Sequence, residues 1–170
     1  MVPCLHMADL EETTIAEPRI RNVARGILVR NGQLLVIEVD DGKGRWWILP
    51  GGKQEFGETA EETVIRECRE ELRCAVSVGP CVMVREFVGP RRKEVVGNVA
   101  EQHSVELYFL CEPQGQPDLK PSEKYHREIR WMNPDALTSI KFFPKVLGRE
   151  MPSILSAQQP TRTLYVGDAD

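Results

Sequence analysis

The chain has 170 residues, with 22 lysines and arginines against 26 aspartates and glutamates, and a net charge of −4. This length suits one domain with a sizeable hydrophobic core, and the mixed charges lack the basic excess of proteins that bind nucleic-acid duplexes. Nothing approaches about eighteen consecutive apolar residues, so we expect no membrane span, and the acidic N-terminus does not resemble a secretory signal. Five cysteines without zinc-type spacing favour a reduced, cytoplasmic location.

A hairpin is predicted to follow a flexible N-terminal tail, residues 1–18. Two apolar-rich runs, Arg19 to Val29 and Gln33 to Val39, flank the dipeptide Asn31-Gly32. Asn-Gly is the strongest short hairpin signal, because both residues tolerate the positive φ angles of a two-residue turn. The turn therefore fixes the register of the two predicted strands.

This register places Arg25 opposite Glu38. Each side chain lies on a strand face that is otherwise apolar, since residues two apart share a face. Such a pair is either a structural cross-strand ion pair or the polar floor of a substrate pocket. We favour the ion pair, and we keep Arg25 and Glu38 as candidate substrate-binding residues.

A short strand, Arg45 to Leu49, is predicted next, and it carries two adjacent tryptophans. Trp46 and Trp47 point to opposite faces of the strand, so at most one of them reaches the core. The other is free to stack on a nucleobase, because every base offers a π-face.

The segment from Leu49 to Cys74 combines a glycine turn, a loop and a helix. Thr59 and Glu62 form the capping-box pattern that begins a helix. Apolar residues then recur at helical spacing from Val64 to Leu72, which predicts one buried face.

Three glutamates share a different face of this helix. Glu67, Glu70 and Glu71 are separated by three and four residues along a helix, so their side chains converge. Their repulsion costs some tenths of a kcal/mol per close pair, and a divalent cation among them would remove this cost. Several carboxylates with room for water suit Mg²⁺ or Mn²⁺ better than zinc. The alternative is an exposed acidic helix face.

The spacing of these residues resembles the Nudix box. That pattern is Gly, five residues, Glu, seven residues, Arg-Glu, an aliphatic residue, any residue, Glu-Glu, any residue, Gly and an aliphatic residue. Six identity positions match: Gly52, Glu58, Arg66, Glu67, Glu70 and Glu71. Cys68 and Cys74 replace aliphatic residues, a mild change. Arg73 replaces the glycine that ends the helix, so either arginine adopts the left-handed conformation at a cost of about 1–2 kcal/mol or the helix ends differently.

The resemblance implies a role for each matched residue. Arg66 would orient a neighbouring glutamate through an ion pair, and Glu58 would brace the loop against the helix. The residues that would bind divalent metal, Mg²⁺ or Mn²⁺, are Glu67, Glu70, Glu71 and Gly52 through its carbonyl. The residues predicted to be catalytic are Glu58, Arg66, Glu67 and Glu70.

Two further expectations follow from the same resemblance. Nudix proteins often carry a tryptophan three residues before the proline of the box, so Trp47 is predicted to be structural and Trp46 is the candidate substrate contact. A glutamate outside the box often serves as catalytic base or extra metal ligand. No motif locates it here, and three residues remain open candidates: Glu106, Glu123 and Glu128.

Beyond the box, periodicity predicts strands from Ala75 to Val88, Glu101 to Cys111 and Glu128 to Met132. A short helix from Pro134 and a longer one from Phe142 to Leu155 follow. This element order indicates a mixed sheet with helices on both faces. The resemblance implies the same architecture, the α/β/α sandwich of Nudix proteins, an α/β fold. We expect one domain at residues 19–157 and a C-terminal tail at residues 158–170.

The implied function is metal-dependent hydrolysis of a phosphoanhydride bond in a nucleoside diphosphate-linked compound, such as a nucleoside triphosphate. ADP-ribose or a nucleotide sugar is a second substrate class. A non-catalytic nucleotide-sensing module is an alternative of another kind, against which the complete set of box glutamates counts. The expected partner is a small nucleotide, and a homodimer remains open because many Nudix proteins form one.

Overall fold

The computed structural model describes residues 19–92, 101–156 and 162–169. These residues form eight strands and two α-helices. In chain order they are β1 (Ile20–Arg30), β2 (Gln33–Asp40), β3 (Arg45–Ile48), β4 (Gly51–Lys53), α1 (Ala60–Leu72), β5 (Val76–Val88), β6 (His103–Pro113), β7 (His126–Met132), α2 (Lys145–Ser156) and β8 (Leu164–Gly167). Short 3₁₀ helices occupy Gly89–Arg91 and Pro134–Ser139. None of the helices described here is long and apolar enough to cross a membrane.

The strands form a mixed sheet in the order β3-β2-β1-β6-β5-β8. β4 pairs with β1, and β7 pairs with β2. β1 and β6 run parallel, as do β5 and β8, while the other pairs are antiparallel. A mixed sheet of this kind with helices on both faces confirms the predicted α/β fold.

The core lies on both faces of the central strands. In β2, the run from Leu34 to Ile37 is fully buried, and its side chains alternate between two clusters because successive strand residues point to opposite faces. Leu34 and Val36 pack with residues of α2, whereas Leu35 and Ile37 pack with residues of α1. This packing fixes α1 against one face of the sheet.

The hairpin forms at Asn31-Gly32, but the predicted pair between Arg25 and Glu38 is wrong. The pairing of β1 with β2 holds for Val29 with Leu34 and for Arg30 with Gln33. Beyond these pairs β1 is hydrogen-bonded to β4 and β6, and β2 is hydrogen-bonded to β3 and β7. The two strands therefore diverge before the register brings the two charges together.

The segment predicted to be a C-terminal tail contains a strand. β8 pairs with β5, and Leu164 and Val166 pack against the core cluster of α2. The Arg85 side chain donates to the carbonyl of Ala169 at 2.6 Å, and Arg92 donates to Asp168 at 2.7 Å. Two alternating apolar residues, Leu164 and Val166, are too few to predict a strand from the sequence. The segment forms a strand because it pairs with β5. The other predicted tail, residues 1–18, lies outside the described residues.

Candidate active site

Helix α1 is held firmly at both ends. At its start, the Thr59 hydroxyl accepts from the backbone N–H of Glu62 at 3.2 Å, and the Glu62 carboxylate accepts from the N–H of Thr59 at 2.8 Å. At its end, Arg73 adopts the left-handed conformation with φ 49°. Arg73 therefore stands where the family pattern has glycine, and its backbone adopts the left-handed conformation in spite of the strain. Cys68 and Leu72 are buried on the sheet side, and Glu67 and Glu71 meet β4 at Gly52 and Gly51.

Arg66 is the centre of the ion pairs at this site. Its guanidinium donates to Glu58 at 2.7 Å, to Glu67 at 2.9 Å and to Glu70 at 3.1 Å. It also donates to the carbonyl of Lys53 at 3.0 Å. The hydrogen bond from Arg66, with a backbone N–H from the loop, lowers the pKa of Glu58 to about 2. Arg66 thus ties the loop to the helix and orients two of the three converging glutamates.

Glu67 lies against Gly52, where no side chain intervenes. A Cβ atom at Gly52 would stand 2.4 Å from Oε1 of Glu67, far inside van der Waals contact. Burial raises the pKa of Glu67 in spite of the neighbouring Arg66. Glycine at this position therefore provides the space that the Glu67 carboxylate occupies.

Glu71 is the most buried of the three glutamates, with a side chain 4% exposed. It accepts a hydrogen bond from the backbone N–H of Gly51 at 2.8 Å. Burial raises its pKa to about 8, although Gly51 and the charge of Arg25 oppose the shift. A buried carboxylate that resists ionisation needs a positive partner to stay charged at neutral pH.

The candidate substrate-binding residues are separated in the structure. Arg25 donates to the carbonyls of Leu49 and Gly51, at 2.7 Å and 3.1 Å, so it supports the turn that precedes Gly52. Glu38 is opposite Trp47 on β3 and lies 3.8 Å from the exposed Arg45.

The two tryptophans behave differently. Trp47 is 8% exposed in the core, and the guanidinium of Arg130 stacks 4.4 Å from its ring centre. Trp46 is half-buried, with the Lys141 ammonium 5.5 Å from its ring centre. The structure thus leaves Trp46 the more accessible of the two.

The Glu106 carboxylate is already hydrogen-bonded to three other side chains. Its carboxylate accepts from Arg85 at 2.8 Å, from the Tyr108 hydroxyl at 2.6 Å and from Ser104 at 3.1 Å. Burial would raise the pKa of Glu106, but the charges of Arg85 and Arg25 outweigh it and hold the pKa below its usual value. An acid so fully hydrogen-bonded is a poor proton acceptor.

The other two candidate acids have different neighbours. Glu128 is exposed on β7 and lies 3.5 Å from Arg130. Glu123 lies in the preceding loop, 3.6 Å from His126, and its charge raises the pKa of both Glu67 and Glu71. Of the three candidate glutamates outside the box, Glu123 is thus the one we favour.

His126 was missed at the level of sequence. It begins β7, is 7% exposed, and its Nε2 atom lies 3.5 Å from Glu71. The only local signal is its place in the segment where the Nudix resemblance expects an extra catalytic group. Its approach to Glu71 comes from tertiary packing, which no spacing in the chain reveals.

This donor set fits a divalent cation. Glu67 lies against Gly52, Glu71 lies against Gly51, and Arg66 joins Glu67 to Glu70; carboxylate oxygens of this kind suit Mg²⁺ and Mn²⁺. The buried Glu71 needs a positive partner to ionise. Of the three glutamates, Glu67 lines a cleft of about 1490 Å³, whose wall also includes Arg19, Arg21 and Lys53.

Comparison with known proteins agrees with this geometry. A family model described as the NUDIX domain matches residues 20–151. The chain belongs to the Nudix family. Its Nudix relatives include the CTP pyrophosphohydrolase of Escherichia coli, 27% identical over 115 residues, or 66% of this chain and 76% of the relative. The nucleoside triphosphatase NudI of an Enterobacter species is 29% identical over 128 residues, 72% of this chain and 88% of that protein.

The fold comparison points the same way. The solution structure of the E. coli ORF135 protein superposes with a TM-score of 0.66 and 20% identity, covering 85% of this chain and 96% of that one. This likeness concerns the fold, whereas the family match makes the protein a Nudix hydrolase, a pyrophosphohydrolase acting on nucleoside diphosphate-linked compounds. Nudix enzymes use divalent metals and act on small nucleotides, and the acidic cluster around Glu71 is able to hold such an ion.

Proposed function

We propose that this Nudix hydrolase cleaves a phosphoanhydride bond of a nucleoside triphosphate with the help of Mg²⁺ or Mn²⁺. The observation that carries the proposal is the placement of Glu67 against Gly52 and of Glu71 on the N–H of Gly51, with Arg66 bridging Glu67 and Glu70. The three carboxylates and the Gly52 carbonyl would hold the metal. When bound, the metal neutralises phosphate charge and lowers the pKa of water.

The side chains around the carboxylates hold these carboxylates in position and orient them. Arg66 fixes Glu67 and Glu70 in one arrangement, and Glu58 fixes Arg66 through its own hydrogen bonds. Such prior organisation is what electrostatic catalysis of phosphoryl transfer requires, because the groups need no rearrangement during the reaction. Glu123, 47% exposed and beside the cluster, is placed to accept the proton of the attacking water.

The preference for a nucleoside triphosphate rests on the cleft and on the relatives. Arg19, Arg21 and Lys53 line the cleft beside Glu67 and suit a chain of phosphates. The E. coli and Enterobacter relatives are named for triphosphate hydrolysis. We place the reaction in the cytoplasm, since the described cysteines are free thiols.

A release assay tests the proposal. The full chain is incubated with Mg²⁺, and separately with Mn²⁺, and a panel of nucleoside triphosphates, ADP-ribose, nucleotide sugars and dinucleoside polyphosphates. Phosphate and pyrophosphate are measured directly, and again after phosphatase treatment where the products are monophosphates. Glu70→Gln keeps the shape of the side chain and removes one charge, so turnover should fall by about a hundredfold or more.

Glu61→Gln is the matched control, because Glu61 is an exposed residue in the first turn of the same helix. It should turn over like the unmodified protein. Equal activity of the Glu70→Gln and Glu61→Gln variants would remove the carboxylate cluster from the mechanism. Turnover of ADP-ribose in place of triphosphates would keep the chemistry and overturn the proposed substrate.

A further inference from the structure

Phe56 is fully exposed although its side chain is large and apolar. An aromatic ring in water forgoes the stabilisation that burial normally gives it. The backbone N–H of Glu58 donates to the carbonyl of Glu55 at 3.2 Å, and Gly57 has φ 94°, as position i+2 of a type II turn requires. Phe56 is at position i+1, where proline is favoured and no aromatic ring is needed. The presence of this ring therefore calls for a reason outside the turn.

The backbone that carries Phe56 is fixed on both sides of the turn. Glu58, on one side, accepts from Arg66 of α1 at 2.7 Å. On the other side, the backbone N–H of Gln54 donates to the carbonyl of Asn22 on β1 at 2.9 Å. A ring presented on such a rigid support loses little conformational freedom when a ligand binds to it.

Phe56 lines the same cleft as Glu67, one of the proposed metal ligands. The wall of this cleft also includes a second exposed apolar side chain, Ile20, and the exposed cations Lys53 and Arg21. A nucleotide has parts that match each of these groups. Its phosphates suit the cations and a metal on the carboxylates, and its base has a face that stacks on an aromatic ring.

We propose that Phe56 is the stacking platform for the nucleobase of the substrate. This inference rests on the proposed function, because it takes the phosphates to lie towards Glu67. Every base has a π-face, so stacking tolerates different bases, and the platform should serve purine and pyrimidine nucleotides alike. Trp46, the aromatic residue that the sequence favours as a substrate contact, is not among the described residues that line this cleft.

Binding of uncleavable nucleotides tests the platform without turnover. The probes are analogues of ATP and CTP in which methylene groups replace the bridging oxygens, and inorganic tripolyphosphate, which has no base. Each is titrated by calorimetry into the full chain with Mg²⁺. Phe56→Ala should raise the Kd of both analogues about tenfold and change the Kd of tripolyphosphate by less than about twofold. Phe56→Trp, which restores a π-face, should bind the analogues like the unmodified protein.

Tyr165→Ala is the matched control, because Tyr165 is an exposed aromatic residue on the edge strand β8. It should bind all three probes like the unmodified protein. On a triphosphate that is turned over, Phe56→Ala should raise KM about tenfold and change kcat by less than about twofold, since stacking is equally strong before and during the reaction.

Nuclear magnetic resonance of the unmodified protein with isotope-labelled phenylalanine gives a direct readout of contact. The ring current of the base should shift the ring signals of Phe56, which are identified by their absence from the Phe56→Ala spectrum. The signals of the buried Phe142 should stay in place. Tripolyphosphate should shift neither set, because it has no base.

Unchanged Kd values of both analogues in Phe56→Ala, or Phe56 signals that do not move, overturn the platform. An equal rise in the Kd of tripolyphosphate also overturns it, because the substitution would then act through the turn. A raised Kd in Trp46→Leu beside an unchanged Kd in Phe56→Ala would place the base at Trp46 instead. The proposed function fails separately, through a protein that turns over no triphosphate although the analogues shift its Phe56 signals.

Discussion

Replacing Gly52 by alanine tests whether the position of one carboxylate controls turnover. The new Cβ would lie 2.4 Å from Oε1, 2.7 Å from Cδ and 3.0 Å from Oε2 of Glu67. Ordinary contact begins near 3.4 Å, so the carboxylate has to move by about 1 Å. The backbone at Gly52 is outside the left-handed region, so alanine adds no backbone strain and the change acts on Glu67.

The expected effects of Gly52→Ala on turnover and on stability differ in size. A displacement of about 1 Å at a reacting centre lowers turnover on the order of a hundredfold. Stability should change by less than about 1 kcal/mol, because the smaller entropy of the unfolded alanine variant contributes about 0.4–1 kcal/mol. Weakening of the 2.9 Å ion pair between Glu67 and Arg66 offsets that gain.

The assay compares kcat and KM on the best compound of the panel, Mn²⁺ affinity by electron paramagnetic resonance, and thermal unfolding. Gly148→Ala is the control, because Gly148 lies in α2 and its new Cβ would meet only ordinary contacts from 3.4 Å upward. We expect it to retain activity. Full activity of Gly52→Ala at unchanged stability would show that the position of Glu67 does not matter.

Three further changes test other parts of the site. Arg73→Gly relieves a left-handed arginine and loses only an exposed contact at 3.9 Å to Asp118, so denaturant unfolding should show a gain of about 1 kcal/mol at unchanged activity. Arg25→Met removes two hydrogen bonds to backbone carbonyls and should lower the unfolding free energy by about 2 kcal/mol, whereas the exposed Arg21→Met should have little effect. In metal-free protein, Glu71 has a pKa of about 8 against an ordinary value of 4.5, so the folded state binds more protons between these values and stability should fall as pH rises through that window. Urea unfolding across the window, with the slope reduced in Glu71→Gln, measures this contribution.

Each of these expectations has a contrary outcome. A loss of turnover in Arg73→Gly would give that arginine a role beyond ending α1. A rise in KM for Arg25→Met without loss of stability would make Arg25 a substrate contact. A pH dependence of unfolding that is identical in the Glu71→Gln variant would show that the buried carboxyl of Glu71 is not the titrating group.

The box helix was predictable because its signals are local. The capping pair at Thr59 and Glu62 and the apolar period from Val64 to Leu72 depend only on neighbours along the chain, and the structure reproduces both. The hairpin turn at Asn31-Gly32 was local as well, so the register next to it, Arg30 with Gln33 and Val29 with Leu34, follows from the turn. Its further register was wrong because β1 changes partners, which depends on β4 and β6 rather than on the turn.

The unpredicted features depend on distant contacts. β8 is recognisable only beside β5, since a four-residue strand carries too little pattern by itself. His126 meets Glu71 because β7 pairs with β2 and α1 packs on the same sheet. A histidine flanked by Tyr125 and Arg127 gives no sign of burial in the sequence.

The single guanidinium of Arg66 has a consequence for how this site can diverge. It contacts Glu58 from the loop and Glu67 and Glu70 from the helix, so the energetic effects of substitutions at these four positions are not additive. Loss of Glu58 alone would free Arg66 to shift towards Glu67 and Glu70 and compete with a cation bound at the proposed site. Glu58, which is outside the proposed ligand set, would thereby influence metal affinity, and the four positions are expected to change together or not at all among descendants of this protein.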